Sequence, residues 1–175
     1  IVLGGLTVLA GLAPPFVMGH YLLSILLVWN GVVLYKRASG PGTPAVPRVS
    51  ASSIAWSRAL VAASLVVLTT GTVVTGTGPH GGDETAPRFT FSISDVARIH
   101  SLAAWAFLAI CLVVLWRVHR DGATGDVDRR GQVLVGLVLA QGALGYAQYF
   151  TGIPPLLVGL HVAGSAAVFI AAVWF

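Results

Sequence analysis

Three histidines, His20, His100 and His161, lie inside strongly apolar stretches of this 175-residue chain. An ionisable side chain at membrane depth is costly and as a rule faces the protein interior with a partner. A neutral imidazole can ligate a transition metal or a haem iron through its unprotonated ring nitrogen. Two of the three occur in copies of one segment. Leu3 to Ser24 aligns with Leu144 to Ser165 without a gap, at the 141-residue offset that separates His20 from His161. Leu3/Leu144, Gly4/Gly145, Gly11/Gly152, Pro14/Pro155, Val17/Val158, His20/His161 and Ser24/Ser165 are identical pairs. Self-similarity at a fixed offset marks a duplicated structural unit. Each copy therefore carries a candidate ligand at the same place.

The elements that must position these residues are membrane helices. The chain is 56% hydrophobic and 9% charged, against roughly 25% charged in a soluble domain. Its mean hydropathy is +0.86. The reading is an all-α polytopic membrane protein with five spanning helices and a short N-terminal stub. The stub covers about 1–11, and the helices cover about 14–35, 54–75, 95–118, 131–151 and 155–175, with proline in a first turn and polar residues at the ends. The formal net charge of +4 does not argue for nucleic acid, because the basic residues sit in short inter-helix loops, where the orientation rule for membrane proteins puts them. Lys36, Arg37, Arg48 and Arg58 border one loop, and Arg117, Arg120, Arg129 and Arg130 another. Those loops are expected on the cytoplasmic side. The helices that begin at 14, 95 and 155 then all start outside. Each histidine sits about 9 Å into its helix at 1.5 Å per residue, so the three share one depth near the outer face.

His100 and His161 are on helices that run the same way, separated by one antiparallel helix. Such helices face each other across a four-helix bundle, and two facing imidazoles suit axial ligation of haem iron. Small residues nearby, Ala97, Ala103 and Ala104 around His100 and Gly164 and Ser165 beside His161, would let a flat macrocycle lie close. Phe107, Tyr146, Tyr149 and Phe150 could wall it. Zinc or copper fits less well, since no Cys, Met or carboxylate lies at that depth to complete a set. Arg98 suits either a haem propionate or an interfacial anchor. His119 reads as a solvated juxtamembrane residue and His80 as part of a Gly-rich turn. Gln141 and Gln148 share a helix face and are expected to bond between helices. The lone Cys111 is expected to be a buried small apolar residue.

Three stretches carry a family resemblance. They are GTVVTGTGPHGGD at 71–83 followed by Arg98-Ile99-His100, GGLTVLAGLAPPFVMGHYL at 4–22, and QGALGYAQYFTGIPPLLVGLHVAGS at 141–165. Together the chain resembles haem A synthase over nearly its whole length. That family has two four-helix bundles related by a pseudo-two-fold along the membrane normal. The resemblance implies oxidation of a methyl group of haem O to a formyl group, giving haem A. It implies a haem b cofactor held by His100 and His161, and a substrate haem whose iron meets His20. Residues 1–36 would belong to the substrate-side bundle, 37–53 to a cytoplasmic loop, and 54–175 to the haem b bundle. Haem O, the bilayer, a haem O synthase and terminal-oxidase assembly factors are the partners it implies, in a bacterial-type cell membrane. The counterpart of His100 and the family's catalytic glutamate would precede residue 1. The 175-residue chain is thus expected to be a fragment without turnover of its own. A b-type cytochrome confined to electron transfer, and a haem-free transporter or scaffold, stay open as alternatives.

Overall fold

A computed structural model describes residues 1–40, 49–80, 83–122 and 125–175. Residues 41–48 of the expected 37–53 loop, and Gly81 and Gly82 of the Gly-rich turn, lie outside the described residues. Six helices follow one another: α1 Val2–Leu9, α2 Pro14–Ser39, α3 Ala51–Thr77, α4 Ile93–Arg120, α5 Asp126–Phe150 and α6 Pro155–Trp174. The last five are long and apolar enough to cross a membrane. This is the all-α polytopic membrane architecture read from the sequence.

The helix ends follow local chemistry. Proline opens α2 and α6, where its missing N–H has no helical partner to lose. The Ser50 side chain accepts from the Ser53 amide to cap α3. Helix α5 starts five residues earlier than the apolar pattern suggests. Asp126 and Asp128 form its first turn, where acidic side chains complement the positive end of the helix dipole. Lys36, in the last turn of α2, donates to the Trp174 carbonyl at 2.8 Å and lies over the Trp174 ring. Asp121, just beyond α4, accepts from the Ser53 hydroxyl at 2.6 Å and the Ser50 amide at 2.8 Å. These contacts tie the helices together at the end that carries the basic residues.

Helices α3, α4, α5 and α6 pack in a closed ring, with α2 against α3 and α6, and α1 against α2. The main core joins Leu60, Phe107, Cys111, Val114, Val118, Leu134, Val138 and Ala172. Most of these lie toward the basic end. Cys111 is buried, as expected. In lipid, which is as apolar as these side chains, close packing rather than exclusion from water holds such a core together. The bundle is therefore solid at the basic end and hollow at the histidine end.

The repeat persists in the backbone. Gly11 and Leu12 have φ of +62° and +57°, and their counterparts Gly152 and Ile153 have +83° and +58°. The Leu12 amide donates to the Thr7 carbonyl at 3.0 Å, and the Ile153 amide to the Gln148 carbonyl at 2.7 Å. Both are helix terminations in which left-handed residues return an amide to the last open carbonyls. Leu12 and Ile153 are the only non-glycine positive-φ residues among the described residues. Helix α2 also packs directly on its counterpart α6.

Candidate functional site

A cavity of about 850 Å³ opens at the histidine end between α3, α4, α5, α6 and the side of α2. That is within the usual size of small-molecule and cofactor sites, which are mostly apolar with a few placed polar groups. His100 and His161 both line it. Their ring centroids are 6.3 Å apart and their planes 85° apart. Two imidazoles on opposite sides of one metal, each nitrogen about 2 Å from it, have ring centres about 6 Å apart.

Each histidine ring rests against a glycine of the preceding helix. A Cβ on Gly71 would lie 3.1 Å from His100 Cε1, and one on Gly145 would lie 3.1 Å from His161 Cε1. The first copy repeats the arrangement, since a Cβ on Gly4 would lie 3.3 Å from His20 Cε1. Close approach of helix backbones over small residues is a general means of packing membrane helices. Here it gives each imidazole a seat. Sequence reasoning registered Gly4 and Gly145 as an identical pair but missed that they face the histidines. The signal lay in the pairing of the two conserved steps, Gly4 to His20 and Gly145 to His161. Gly71 has no such signal.

Polar contacts distinguish the two rings. His100 Nδ1 is 3.1 Å from the Thr70 hydroxyl oxygen. That hydroxyl donates its own hydrogen to the Val66 and Val67 carbonyls. With its one hydrogen on a carbonyl, it accepts from His100 Nδ1. In that arrangement a neutral His100 carries its proton on Nδ1 and leaves Nε2 free to ligate, as is typical of metal-bound histidine. His161 Nδ1 is buried with no partner, as are the amide oxygens of Gln141 and Gln148. All three of these residues line the cavity. Buried polar atoms ordinarily have partners, so the unpaired ones fit a site that takes a ligand. Were the cavity to hold a haem on His100, Thr70→Val would lower its affinity about tenfold to a hundredfold without disturbing the fold, read by haem titration of the purified protein.

The other predicted residues sort as follows. Phe107, Tyr146, Tyr149 and Phe150 line the cavity as expected. The Tyr146 hydroxyl is 2.7 Å from Ser101 Oγ and accepts from Trp105 Nε1 at 3.1 Å. Ala97 and Ala104 line the cavity, and Ala103 is not in its wall. Gly164 serves differently from the expectation. A Cβ there would run into the Gln141 amide, so Gly164 admits that side chain, not a plate. Gln141 and Gln148 make no interhelical hydrogen bond among the described residues, contrary to expectation: both residues line the cavity, and their amide oxygens are buried without partners. Arg98 lines the cavity, and so does His80, which the sequence reading left as a turn residue. Tyr21 joins the wall from α2, its hydroxyl 2.6 Å from Ser165 Oγ. His20 is exposed on α2 and is not part of this cavity. His119 is solvated as expected, with its nearest carboxylate, Asp128, 3.7 Å away.

The loop between α3 and α4 borders the cavity and has its own internal order. Asp83 accepts from the Thr85 hydroxyl at 2.6 Å and from the Thr85 amide at 2.7 Å. These hydrogen bonds, led by the hydroxyl, hold its carboxyl below the ordinary value of 3.8. A depressed carboxylate pKa contributes stability that is present above the unfolded value and lost as pH falls through the folded one. Exchange of the Thr85 amide is therefore expected to accelerate, beyond its intrinsic rate, as pH falls below the ordinary value of 3.8, and Asp83→Asn to remove that pH dependence. Comparison of the chain with protein-family models, with curated proteins and with solved structures found no match in any of the three.

Proposed function

We propose that the cavity holds a haem b between His100 and His161 and that the chain works as part of a membrane oxidoreductase of the haem A synthase type. The observation that carries the first half is the 6.3 Å separation of two cavity-lining imidazoles. A bare metal ion would find few protein ligands here, because no group of three or more His, Cys, Asp or Glu forms among the described residues. A macrocycle brings four nitrogens of its own and needs only axial ligands. Bound there, the haem supplies a one-electron redox centre. Thr70 holds His100 Nδ1, the two glycines seat the rings, and Trp105, Tyr146 and Phe107 form part of the wall.

The second half rests on the resemblance of residues 4–22, 71–83 and 141–165 to that family. In it, a methyl group of haem O becomes the formyl group of haem A. The repeated Gly4 and His20 seat supports His20 as a ligand to the substrate haem. The concentration of Lys and Arg at the opposite end supports an extracytoplasmic position for the histidines, in a bacterial-type cell membrane.

An electron-transfer cytochrome is the second reading. It is supported by the same pair of cavity-lining imidazoles, which would serve an electron-transfer haem equally well. The deciding experiment has two parts. The visible spectrum of the purified protein should show low-spin, six-coordinate haem b. Membranes containing the protein in its natural full-length form should convert added haem O to haem A. A haem-free, well-folded protein sinks both readings, while haem b without conversion leaves the cytochrome.

A further inference from the structure

We infer that Arg98 and His80 form an anion port at the cavity mouth that takes the paired carboxylates of the bound macrocycle. This rests on the haem reading and adds to it an orientation and a second polar residue. Of the Lys and Arg among the described residues, only Arg88 and Arg98 lie toward the histidine end. Arg88 is already engaged. Its guanidinium donates to the Pro79 carbonyl at 3.0 Å and to the Asp83 carbonyl at 2.6 Å. Arg98 makes no hydrogen bond or ion pair among the described residues and borders the cavity. It is the cation left for an incoming anion.

The chain leading into His80 is tied down by hydrogen bonds. The Gly78 amide closes α3 onto the Val74 carbonyl at 2.8 Å, and the Phe89 amide returns to the Gly76 carbonyl at 2.9 Å. Arg88 fixes the carbonyl of Pro79, the residue just before His80. Helices α3 and α4 also share a register. Gly71 faces His100, and Gly78 approaches Ile93, seven residues on along each helix. Arg98 is then about 3 Å nearer the mouth than His100, and Gly78 about 10 Å nearer than Gly71. His80 lies just beyond Gly78. A macrocycle whose iron is level with His100 and His161 would bring an edge between the levels of Arg98 and His80. A guanidinium and an imidazole N–H are both donors to carboxylate. An edge bearing two carboxylates therefore fits toward the mouth, and an apolar edge toward the core. The competing assignment for Arg98 is a lipid headgroup contact, which would leave macrocycle binding indifferent to its carboxylates.

The test compares haem b with its dimethyl ester, which keeps the iron and ring but lacks both negative charges. Each is titrated into haem-depleted protein, with the low-spin spectrum as readout. The wild type should bind the diacid at least about tenfold more tightly than the ester. Arg98→Gln and His80→Gln should each shrink that ratio while leaving ester affinity unchanged, with Arg98→Lys restoring part of it. Equal wild-type affinities for acid and ester, with a normal six-coordinate spectrum, overturn this inference alone. Absence of a His100- and His161-dependent spectrum with either compound overturns the haem reading and the port with it. If a variant does not fold, the wild-type ratio still decides.

Discussion

His161→Ala is expected to convert the bound haem from a six-coordinate low-spin to a five-coordinate high-spin spectrum, and His100→Ala to weaken binding further still. The asymmetry follows from the surroundings of the two rings. His100 has its Nδ1 engaged by Thr70, so its orientation and tautomer are set before any ligand arrives. The Nδ1 of His161 is buried without a partner, so its ring depends more on the bound group for its place. Removing His161 should leave iron on His100 with one axial position open, and added imidazole should then restore the low-spin bands. Removing His100 takes away the preorganised ligand. Its cost should exceed the roughly 10–100-fold that loss of an outer-shell partner brings. His20→Ala should leave this spectrum unchanged, because His20 is not in the cavity wall. Absorption spectra with haem titrations on the four proteins check all of this. An unaltered spectrum in His161→Ala is the outcome that ends the axial-ligand assignment.

Much of this arrangement was legible in the sequence, for identifiable reasons. Spanning helices declare themselves through apolar length, and only their ends moved. Helix α5 gained a turn because Asp126 and Asp128 suit a helix start, although their polarity places them outside an apolar segment. The duplication was visible as seven identities, and the structure extends it to a backbone detail, the left-handed Leu12 and Ile153. What stayed hidden depends on register between helices. Nothing within α3 marks Gly71 as opposite His100, or Thr70 as opposite its Nδ1. Gln141 and Gln148 read as interhelical bonding groups because polar residues in membrane helices often bond across an interface. The hollow end of the bundle defeats that inference, since the facing surface is a cavity. His80 was missed for the same reason, because its significance comes from the way Arg88 and the Gly76–Phe89 contact fold the loop.

The glycine seats lead to the second large expected effect. Gly145→Ala and Gly71→Ala should each reduce haem affinity by about tenfold or more while leaving the helices at least as stable. The two consequences have opposite signs, which makes the result diagnostic. Alanine favours a helix interior over glycine by about 0.8–1.0 kcal/mol, so these substitutions raise helix propensity. The added Cβ, however, would lie 3.1 Å from the Cε1 of His161 or His100, and the ring or the helix must shift by a few tenths of an ångström to admit it. Ligating groups need placement within about 0.5 Å of the productive geometry, so a shift of that size consumes much of the tolerance. Gly145→Val should be more severe, since overpacking a close contact typically costs 1–3 kcal/mol. Gly136→Ala on the same helix is the control. A Cβ there meets nothing within 4 Å, so it should gain the propensity and keep the haem. Gly4→Ala should likewise spare the haem b spectrum, because its histidine is His20. Thermal unfolding followed by circular dichroism, set beside haem titration of the same samples, separates the two effects. Parallel losses of stability and affinity in Gly145→Ala would mean that the glycine is a packing requirement of α5 and α6, and that the imidazole merely fills the space beside it.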